Sequence, residues 1–251
     1  MAGWWRVKRF DTLELCLALG IVTLVLASWI LQITPESNEE ARQLERTYGP
    51  DHNSFGLEEL VIRDFFRDRR DGFYLDIGAS HHQIYSNTYF LEHNLGWQGI
   101  AVEPMTNFEP GYLEYRPRTR FRPFFVSDVS NQSAKMYTHG DKFMATSSNK
   151  TFVERFGLNP TEFVAPTITL NDLLDREKVE AVDFVSMDIE LSEPKALAGF
   201  DINRFKPELF CIEAHLEVRQ QILDYFARNG YVLVGKYVRA DDGNLYFAPL
   251  K

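Results

Sequence analysis

Apolar residues near the start of the chain form one long, uninterrupted run. Residues 15–31 read LCLALGIVTLVLASWIL and contain no charged side chain. As a helix this run would be about 26 Å long, close to the ~30 Å hydrocarbon core of a bilayer. Neither face of such a helix would be polar, unlike a helix at the surface of a globular domain. The pattern predicts a transmembrane anchor over residues 13–33, after an N-terminal tail of residues 1–12.

A cleaved signal peptide is the alternative interpretation of the same run. The run is longer than the apolar region of a signal peptide, and no small-x-small cleavage motif follows it. The next segment, residues 34–55, is polar, contains Pro35 and Pro50, and shows no clear apolar period. It is therefore predicted to be a linker.

From residue 56 to residue 251 the pattern becomes that of a globular domain. Short apolar runs alternate with stretches in which apolar residues recur at helical spacing. The predicted strands are FYLDIG, GIAVEP, FRPFFVSD, VDFVSMDIE and ELFCIEAH, followed by YVLVGKYV and NLYFAPL as a closing hairpin. Alternation of strands and helices predicts an α/β fold with a mostly parallel sheet covered by helices on both faces.

Composition and charge narrow the function. The chain has 251 residues, 27 Lys+Arg and 36 Asp+Glu, and a formal net charge of -9. Ordinary hydrophobic and charged fractions exclude wholesale disorder. The acidic balance argues against a nucleic-acid partner, which would require a basic face. Two cysteines are too few for a disulfide framework or a four-thiolate zinc site.

Five consecutive predicted strands of the domain end in acidic residues. In an open α/β sheet, ligands bind outside the carboxyl ends of the strands, so these residues would share one site. They are Asp76 with Gly78, Glu103, Asp128, Asp188 with Glu190, and Glu213 with His215.

The first two acids point to a cofactor that contains a nucleoside. Gly78, just after Asp76, allows close approach of the backbone, and Glu103 at the end of the next strand can accept two hydrogen bonds from a ribose diol. This logic applies to NAD and to S-adenosylmethionine alike. The turn sequence GASHHQIYS lacks GxGxxG and therefore disfavours a pyrophosphate. S-adenosylmethionine, which has no phosphate, is the better match.

Several blocks of the sequence resemble the FkbM-type methyltransferases. The resemblance rests on DIGAS, SNTYFLEHNLGWQGIAVEP, FFVSD, VDFVSMDIELSEPKALAGF and ELFCIEAH, and it extends over roughly residues 57–247. It implies a class I methyltransferase, Rossmann-like, with a seven-stranded sheet, and S-adenosylmethionine as cofactor. Characterised members are mostly O-methyltransferases.

The resemblance also implies roles for individual residues. Asp76 and Gly78 would border the methionine end of the cofactor, Glu103 would hold the ribose hydroxyls, and Asp128 would face the adenine amino group. Asp188 would lie near the sulfonium and the methyl acceptor.

The sequence departs from the family pattern at two places. Ser80 and His82 stand where the family usually has Asn and Gly, and Leu191 replaces the Gly that follows the acid matching Glu190. Because leucine disfavours a left-handed backbone, the turn at Leu191 is expected to differ from that of the family.

The candidate catalytic residues are Asp188, Glu190 and His215. Methyl transfer to an alcohol needs an aligned acceptor and a base for its proton. His215 is the first choice as base because it follows a strand on the ligand side, and His82 is the second. Asp188, Glu190, Glu213 and His215 could also collect a divalent cation, but no tight ligand spacing supports this and no metal site is predicted.

A stretch rich in arginine and aromatic residues, from Phe108 to Phe125, has two readings. It could be a patch for a lipid surface or a sugar. We favour the plainer one, a solvated charged turn before a buried strand.

The sequence as a whole predicts a membrane-anchored S-adenosylmethionine-dependent methyltransferase. The expected acceptor is a hydroxyl of a glycan, glycolipid or small metabolite. The alternative is a membrane-anchored interaction module that retains the fold without catalysis. Three basic residues precede the anchor and two follow it closely, which weakly favours a translocated domain. The cytosolic origin of S-adenosylmethionine argues for a cytoplasmic domain, and this is the side expected.

Overall fold

The computed structural model describes residues 39–139, 142–241 and 243–250. Nine α-helices occur in this part of the chain: α1 Glu39–Tyr48, α2 Glu58–Phe66, α3 Tyr89–Leu95, α4 Glu109–Tyr115, α5 Lys150–Val153, α6 Leu170–Arg176, α7 Glu193–Ala198, α8 Ile202–Phe205 and α9 Arg219–Arg228. Eleven strands accompany them: β1 Phe73–Ile77, β2 Gln98–Val102, β3 Thr119–Arg122, β4 Phe125–Val126, β5 Ser133–His139, β6 Lys142–Ser147, β7 Thr161–Ile168, β8 Phe184–Met187, β9 Leu209–Glu213, β10 Tyr231–Leu233 and β11 Asn244–Pro249.

Seven strands form the main sheet, in the order β10-β11-β9-β8-β1-β2-β3. The five strands from β9 to β3 are parallel, whereas β11 pairs antiparallel with both β9 and β10. The chain reverses direction in strand order after β3, because β8 returns to the other side of β1. This confirms the predicted mostly parallel sheet with a closing hairpin at its edge.

The central strands are buried on both faces, as expected for a sheet covered on two sides. In β8, Val185 belongs to the core on one face of the sheet, together with helices α6 to α9. Its neighbour Phe184 belongs to the core on the other face, with α2, α3 and Trp97. Successive side chains along the strand thus pack into two separate cores, one on each face of the sheet. The polar residues at the carboxyl ends of the strands lie at the edge of both cores.

A second, four-stranded sheet, with the order β4-β7-β5-β6, was not predicted. Its strands lie in the sequence between β3 and α6, and β5 pairs antiparallel with both β6 and β7. The predicted single strand FRPFFVSD is divided between the two sheets. Pro123 lies at the division, and a proline has no N–H to continue a ladder. Because β5 and β7 alternate buried with exposed side chains, each shows only a weak apolar signal.

The predicted linker, residues 34–55, contains helix α1. Ala41 and Leu44 are buried, and Leu44 joins the core that contains Leu60 of α2. Ala41, Leu44 and Tyr48 recur at spacings of three and four, so a short apolar period is present in a segment taken as aperiodic. Because this helix packs onto the domain, the folded part of the chain includes the residues from Glu39 onward.

The predicted tail and transmembrane anchor, residues 1–12 and 13–33, lie outside the described residues. Within the described part of the chain, every helix is too short or too polar to cross a bilayer.

Candidate functional site

A cavity of about 350 Å³ opens at the carboxyl ends of β1, β2, β8 and β9. This volume is in the range of pockets for small molecules. Four of the five predicted strand ends contribute to it, and they bring Asp76, Gly78, Glu103, Asp188, Glu190, Glu213 and His215 into one lining. The predicted residues at these four strand ends therefore lie in one cavity, as expected because ligands bind at this edge of an α/β sheet.

Asp76 and Gly78 form the wall at the end of β1. The Asp76 carboxylate is 5 % exposed and accepts a hydrogen bond from Thr88 Oγ1 at 2.6 Å. Burial raises the pKa of Asp76 to about 6. Gly78 has φ +81°, and a Cβ at this position would lie 1.7 Å from the carbonyl oxygen of Asp188. Gly78 is thus required by the close approach of two loops that both line the cavity.

Glu103 follows β2 and holds the neighbouring turn in place. Its Oε1 accepts a hydrogen bond from the Met105 amide at 2.8 Å, and its Oε2 accepts one from the Ser80 amide at 3.2 Å. Burial raises the pKa of Glu103 to about 7, although the two amides act in the opposite direction. Each oxygen keeps a second lone pair, so a ribose diol can still donate to this carboxylate.

Three further side chains converge at the other end of the cavity. His215 Nε2 lies 3.2 Å from Glu190 Oε2 and 3.0 Å from Glu213 Oε2. Burial, together with the negative charge of Asp188, raises the pKa of Glu190 to about 9 and that of Glu213 to about 11. These two carboxyls are therefore protonated at neutral pH in the free protein.

Asp188 differs from its neighbours because it is exposed to the cavity. It shares a hydrogen bond with Glu213, which places one proton between two carboxyl groups. The surrounding protein raises the pKa of Asp188, while the hydrogen bond from Glu213 works against that shift. Because Asp188 is the more accessible member of the pair, it carries the negative charge and Glu213 carries the proton.

The turn after β8 is strained. Glu190 has φ +54° and Leu191 has φ +73°, so two consecutive residues with side chains are left-handed. Leu191 thus adopts the left-handed backbone that leucine was expected to avoid. Such a conformation costs about 1–2 kcal/mol per residue. Ser147 Oγ donates a hydrogen bond to the Glu190 carbonyl at 2.6 Å, and Glu193 Oε1 accepts one from the Ile189 amide at 3.0 Å. These contacts hold the strained turn, which places Glu190 beside His215.

Glu190, Glu213 and His215 are also the residues that could hold a metal ion. One potential ligand atom from each lies within 4.8 Å of the others. Two carboxylates and an imidazole suit a divalent cation such as manganese or zinc. The prediction of no metal site stays a prediction.

Two predicted residues are not brought to the cavity. Asp128 is exposed beyond the end of β4, where Ser127 Oγ donates to it at 3.0 Å, and it borders a separate surface groove. Phe125 and Val126 of the same predicted strand do line the cavity, so the strand reaches the site and it is the acid at its end that lies outside. His82, the second choice as base, stacks against His81 and Tyr115 and does not line the cavity.

Other walls of the cavity come from elements that the sequence did not associate with the site. Phe55 and Glu58 come from the segment before the first strand, Thr146 from the second sheet, and Phe152 and Phe156 from the segment between β6 and β7 of that sheet. The Phe152 ring packs edge-on against His215, with ring centroids 5.1 Å apart. The only sequence signal for these residues is aromatic side chains in polar surroundings, such as Phe55 in HNSFGLEE.

The lining suits S-adenosylmethionine on chemical grounds. A buried carboxylate at the end of β2 can accept from the ribose, and acidic side chains can compensate the sulfonium and the amino group of the methionine end. Asp76, Glu103 and Asp188 are placed for these contacts within one cavity.

Comparisons with known proteins agree with this assignment. The family model described as "Methyltransferase FkbM domain" matches residues 76–233, which is more than half of the chain. The match confirms the resemblance seen in the sequence, and it confirms S-adenosylmethionine as the cofactor. No curated protein matches the chain.

Solved structures with a similar arrangement include two methyltransferases. A TehB-like S-adenosylmethionine-dependent methyltransferase from Corynebacterium glutamicum is 13% identical, with a TM-score of 0.45, covering 87% of this chain and 100% of its own. An O-methyltransferase from Bacillus cereus, solved with S-adenosylhomocysteine, is 12% identical, with a TM-score of 0.43, covering 90% of this chain and 97% of its own.

Proposed function

Since this chain belongs to the FkbM methyltransferase family, we propose that it is a membrane-anchored enzyme that methylates a hydroxyl group of a glycan, a glycolipid or a small metabolite. The observation that carries the O-methylation is the position of His215. Its Nε2 lies at hydrogen-bond distance from Glu190 in the same cavity as Asp188. This is the arrangement of a base with an orienting partner.

Asp76, Glu103 and Asp188 would hold the cofactor. When bound, S-adenosylmethionine supplies a methyl group activated by a positively charged sulfur. Glu103 would accept hydrogen bonds from the ribose and fix the cofactor along the end of β2. Asp188, with its charge open to the cavity, would hold the positively charged cofactor in place and align the acceptor.

His215 would remove the proton of the acceptor hydroxyl at Nδ1, because Nε2 faces Glu190. Nε2–H would donate a hydrogen bond to Glu190 Oε2, 3.2 Å away, which fixes the tautomer and the orientation of the ring. Phe152 packs edge-on against the ring and restricts its rotation. The strained turn at Glu190 and Leu191 would keep the carboxyl in place during transfer.

Transfer of a labelled methyl group tests this function. The full chain in detergent would be incubated with S-adenosylmethionine labelled at the methyl group and with fractionated cell extract. We expect label in an alkali-stable ether, and loss of at least 90 percent of the rate in His215→Ala. Label in an amine or an ester instead would contradict O-methylation.

The non-catalytic alternative makes a different prediction for the cofactor. Stabilisation by S-adenosylhomocysteine follows from binding to the folded state alone. We expect it to raise the Tm of the full chain, whereas a module that has lost the pocket would be unmoved. The Leu191 departure that motivated this alternative leaves Glu190 at the cavity.

We also propose that residues 13–33 anchor the domain on the cytoplasmic face. The apolar run supports the anchor, and the supply of S-adenosylmethionine supports the side. Protease added to sealed spheroplasts or vesicles tests the orientation. Digestion of the domain from the outside, or a glycan on either sequon asparagine, Asn131 or Asn149, would reverse it.

A further inference from the structure

The charge of the cavity restricts the acceptor. Among the described residues that line it, six are acidic and none is Lys or Arg: Glu58, Asp76, Glu103, Asp188, Glu190 and Glu213. The one basic side chain among the described lining residues is the imidazole of His215. Glu190 and Glu213 are protonated in the free protein, so the negative charge at the acceptor end is that of Asp188.

The basic residues near the acceptor end are engaged elsewhere. Arg155 stacks over Phe152, with Cζ 5.2 Å from the ring centroid, and its guanidinium pairs with Glu217 at 2.9 Å. Lys150 pairs with Glu154 on the same helical segment at 3.7 Å. Neither side chain lines the cavity. An anionic acceptor would therefore meet the negative charge of Asp188, and no Lys or Arg of the described lining residues could receive it.

Polar and aromatic groups are combined at this end of the cavity in a way that suits a polyol. His215 Nε2 lies 3.2 Å from Glu190 Oε2 and 3.0 Å from Glu213 Oε2, and all three side chains are partly exposed where they line the cavity. Adjacent hydroxyl groups of one molecule have a similar spacing and can both donate and accept. A carboxyl and an imidazole can exchange hydrogen bonds with them in either protonation state.

The aromatic side chains supply the apolar surface that a sugar ring needs. Phe152 and Phe156 pack edge-on, with ring centroids 5.4 Å apart, and Phe156 remains 49% exposed. An exposed aromatic ring in a cavity offers a flat apolar face, and the C–H face of a pyranose stacks on such a ring.

We propose that the acceptor is a neutral polyol with vicinal hydroxyl groups, held by Glu190, Glu213 and His215 and stacked on Phe156, and that acceptors bearing phosphate or carboxylate groups are rejected. This inference rests on the proposed methyltransferase function and narrows its substrate. The hydroxyl next to the one that is methylated would contact Glu190 or Glu213.

Charge and diol content of the acceptor can be tested together. A cell extract would be separated on an anion exchanger into unbound and bound pools of equal hydroxyl content. The full chain in detergent would then transfer labelled methyl groups to each. We expect at least tenfold more label in the unbound pool. Periodate, which cleaves vicinal diols, followed by borohydride should remove at least nine-tenths of the acceptor activity of that pool.

Two variants and a control connect these results to the named residues. Phe156→Leu and Glu190→Gln should each raise the KM for the unbound pool at least fivefold and leave the KM for S-adenosylmethionine within twofold. Glu162→Gln changes an exposed carboxylate that pairs with Lys135 on the second sheet and should alter neither value.

The possible outcomes distinguish a failure of the acceptor proposal from a failure of the proposed methyltransferase function. Label mainly in the bound pool would overturn the neutral acceptor, and label that survives periodate would overturn the diol, while methyl transfer itself would stand. No label in either pool, with S-adenosylhomocysteine still raising the Tm, would also overturn the polyol. No label together with no Tm shift would refute the methyltransferase function.

Discussion

Two groups of buried ionisable side chains lie near the carboxyl end of β1, and they differ in whether their charges are compensated by the protein. In the first, Arg116 is 1% exposed and its guanidinium donates to Glu92 at 2.6 Å, to Tyr74 Oη at 2.8 Å and to Thr88 Oγ1 at 3.1 Å. Its positive charge is matched by Glu92. In the second, the acids of the cavity have no Lys or Arg among the described lining residues.

The difference separates a structural group from a binding group. A buried ion pair whose hydrogen bonds are all made needs nothing from outside the protein. A set of buried carboxyls without a cation raises its own pKa values and gains free energy when a cation arrives. Arg116, in the stretch interpreted from sequence as a solvated charged turn, is therefore part of the core, whereas Tyr115 and Arg118 on either side of it are exposed as expected. Thr88 connects the two groups, because it accepts from Arg116 and donates to Asp76.

The largest effect is expected for Arg116→Met, which removes the compensating charge from the first group. The substitution leaves Glu92 buried without its partner, and removal of one member of a buried pair costs about 3–5 kcal/mol. We expect the free energy of unfolding in urea to fall by that amount. Arg155→Met is the matched control, because its pair with Glu217 is half exposed and contributes about 0–1 kcal/mol. A loss below about 1 kcal/mol for Arg116→Met would make the Arg116 group dispensable.

On the cavity side, Asp188→Asn should affect chemistry more than folding. Asp188 is exposed to the cavity, so the amide fits without a buried charge being left unpaired. We expect kcat to fall about 10²–10⁴-fold at saturating substrates, as for loss of a group that acts in the transition state. Asp175→Asn, in an exposed pair with Arg204, should leave kcat unchanged. Turnover near that of the native enzyme would remove Asp188 from the catalytic group.

Glu103→Ala tests whether an uncompensated acid binds the cofactor. Each hydrogen bond from ribose to a carboxylate contributes about 1.5–3 kcal/mol. We expect the Kd for S-adenosylmethionine to rise at least tenfold, with kcat at saturation within a few fold, by calorimetry and initial rates. An unchanged Kd would exclude Glu103 from the binding site.

The pH dependence of cofactor binding has a defined sign. The pKa of Glu103 is raised to about 7 in the free protein, and ribose hydroxyls that donate to the carboxylate lower it again. Binding therefore releases a proton, and affinity should increase from pH 6 to pH 7.5 and then level off. Glu103→Gln should flatten this profile. A profile that remains steep in the variant would assign the proton to another group.

The smallest expected effect is a gain of stability. The pKa of Glu190 is raised to about 9 by burial and by the charges of Asp188 and Glu193. Between its ordinary pKa of about 4.3 and about 9, the folded protein keeps a proton that the unfolded chain releases, so stability falls as pH rises. Glu190→Gln cannot titrate and should stabilise the ligand-free protein by on the order of 1 kcal/mol at pH 8 and less at pH 5.

Urea denaturation at the two pH values measures this gain. Glu162→Gln serves as the control, because its pKa is lowered by the hydrogen bond and charge of Lys135 and its carboxylate is exposed. It should not stabilise the protein at either pH. If Glu190→Gln changed the free energy of unfolding equally at the two pH values, or stabilised the protein more at pH 5 than at pH 8, the raised pKa of Glu190 would be contradicted.

The sequence by itself determined the sheet, the strand ends and the cofactor. Apolar runs of strand length, alternating with helical periods, are local features, and parallel strands place their carboxyl ends at one edge of the sheet. Asp76, Glu103, Asp188, Glu190, Glu213 and His215 therefore met in one cavity as predicted. The absence of GxGxxG chose the class of cofactor for a reason that is equally local.

Only the tertiary structure decided the second sheet, the extra helix and the charge balance. The partly exposed strands of the second sheet are specified by pairing across the chain, which leaves a weak local signal, and α1 has one apolar turn whose burial depends on α2. After Pro123 the chain leaves the main sheet and pairs through β4 with β7 of the second sheet, and Asp128 follows β4. Arg116 reads as an exposed cation in the sequence and is a buried one in the structure, because Glu92, 24 residues away, is brought to it by the fold. Charge is written in the sequence, but whether a charge is compensated depends on distances that folding alone sets.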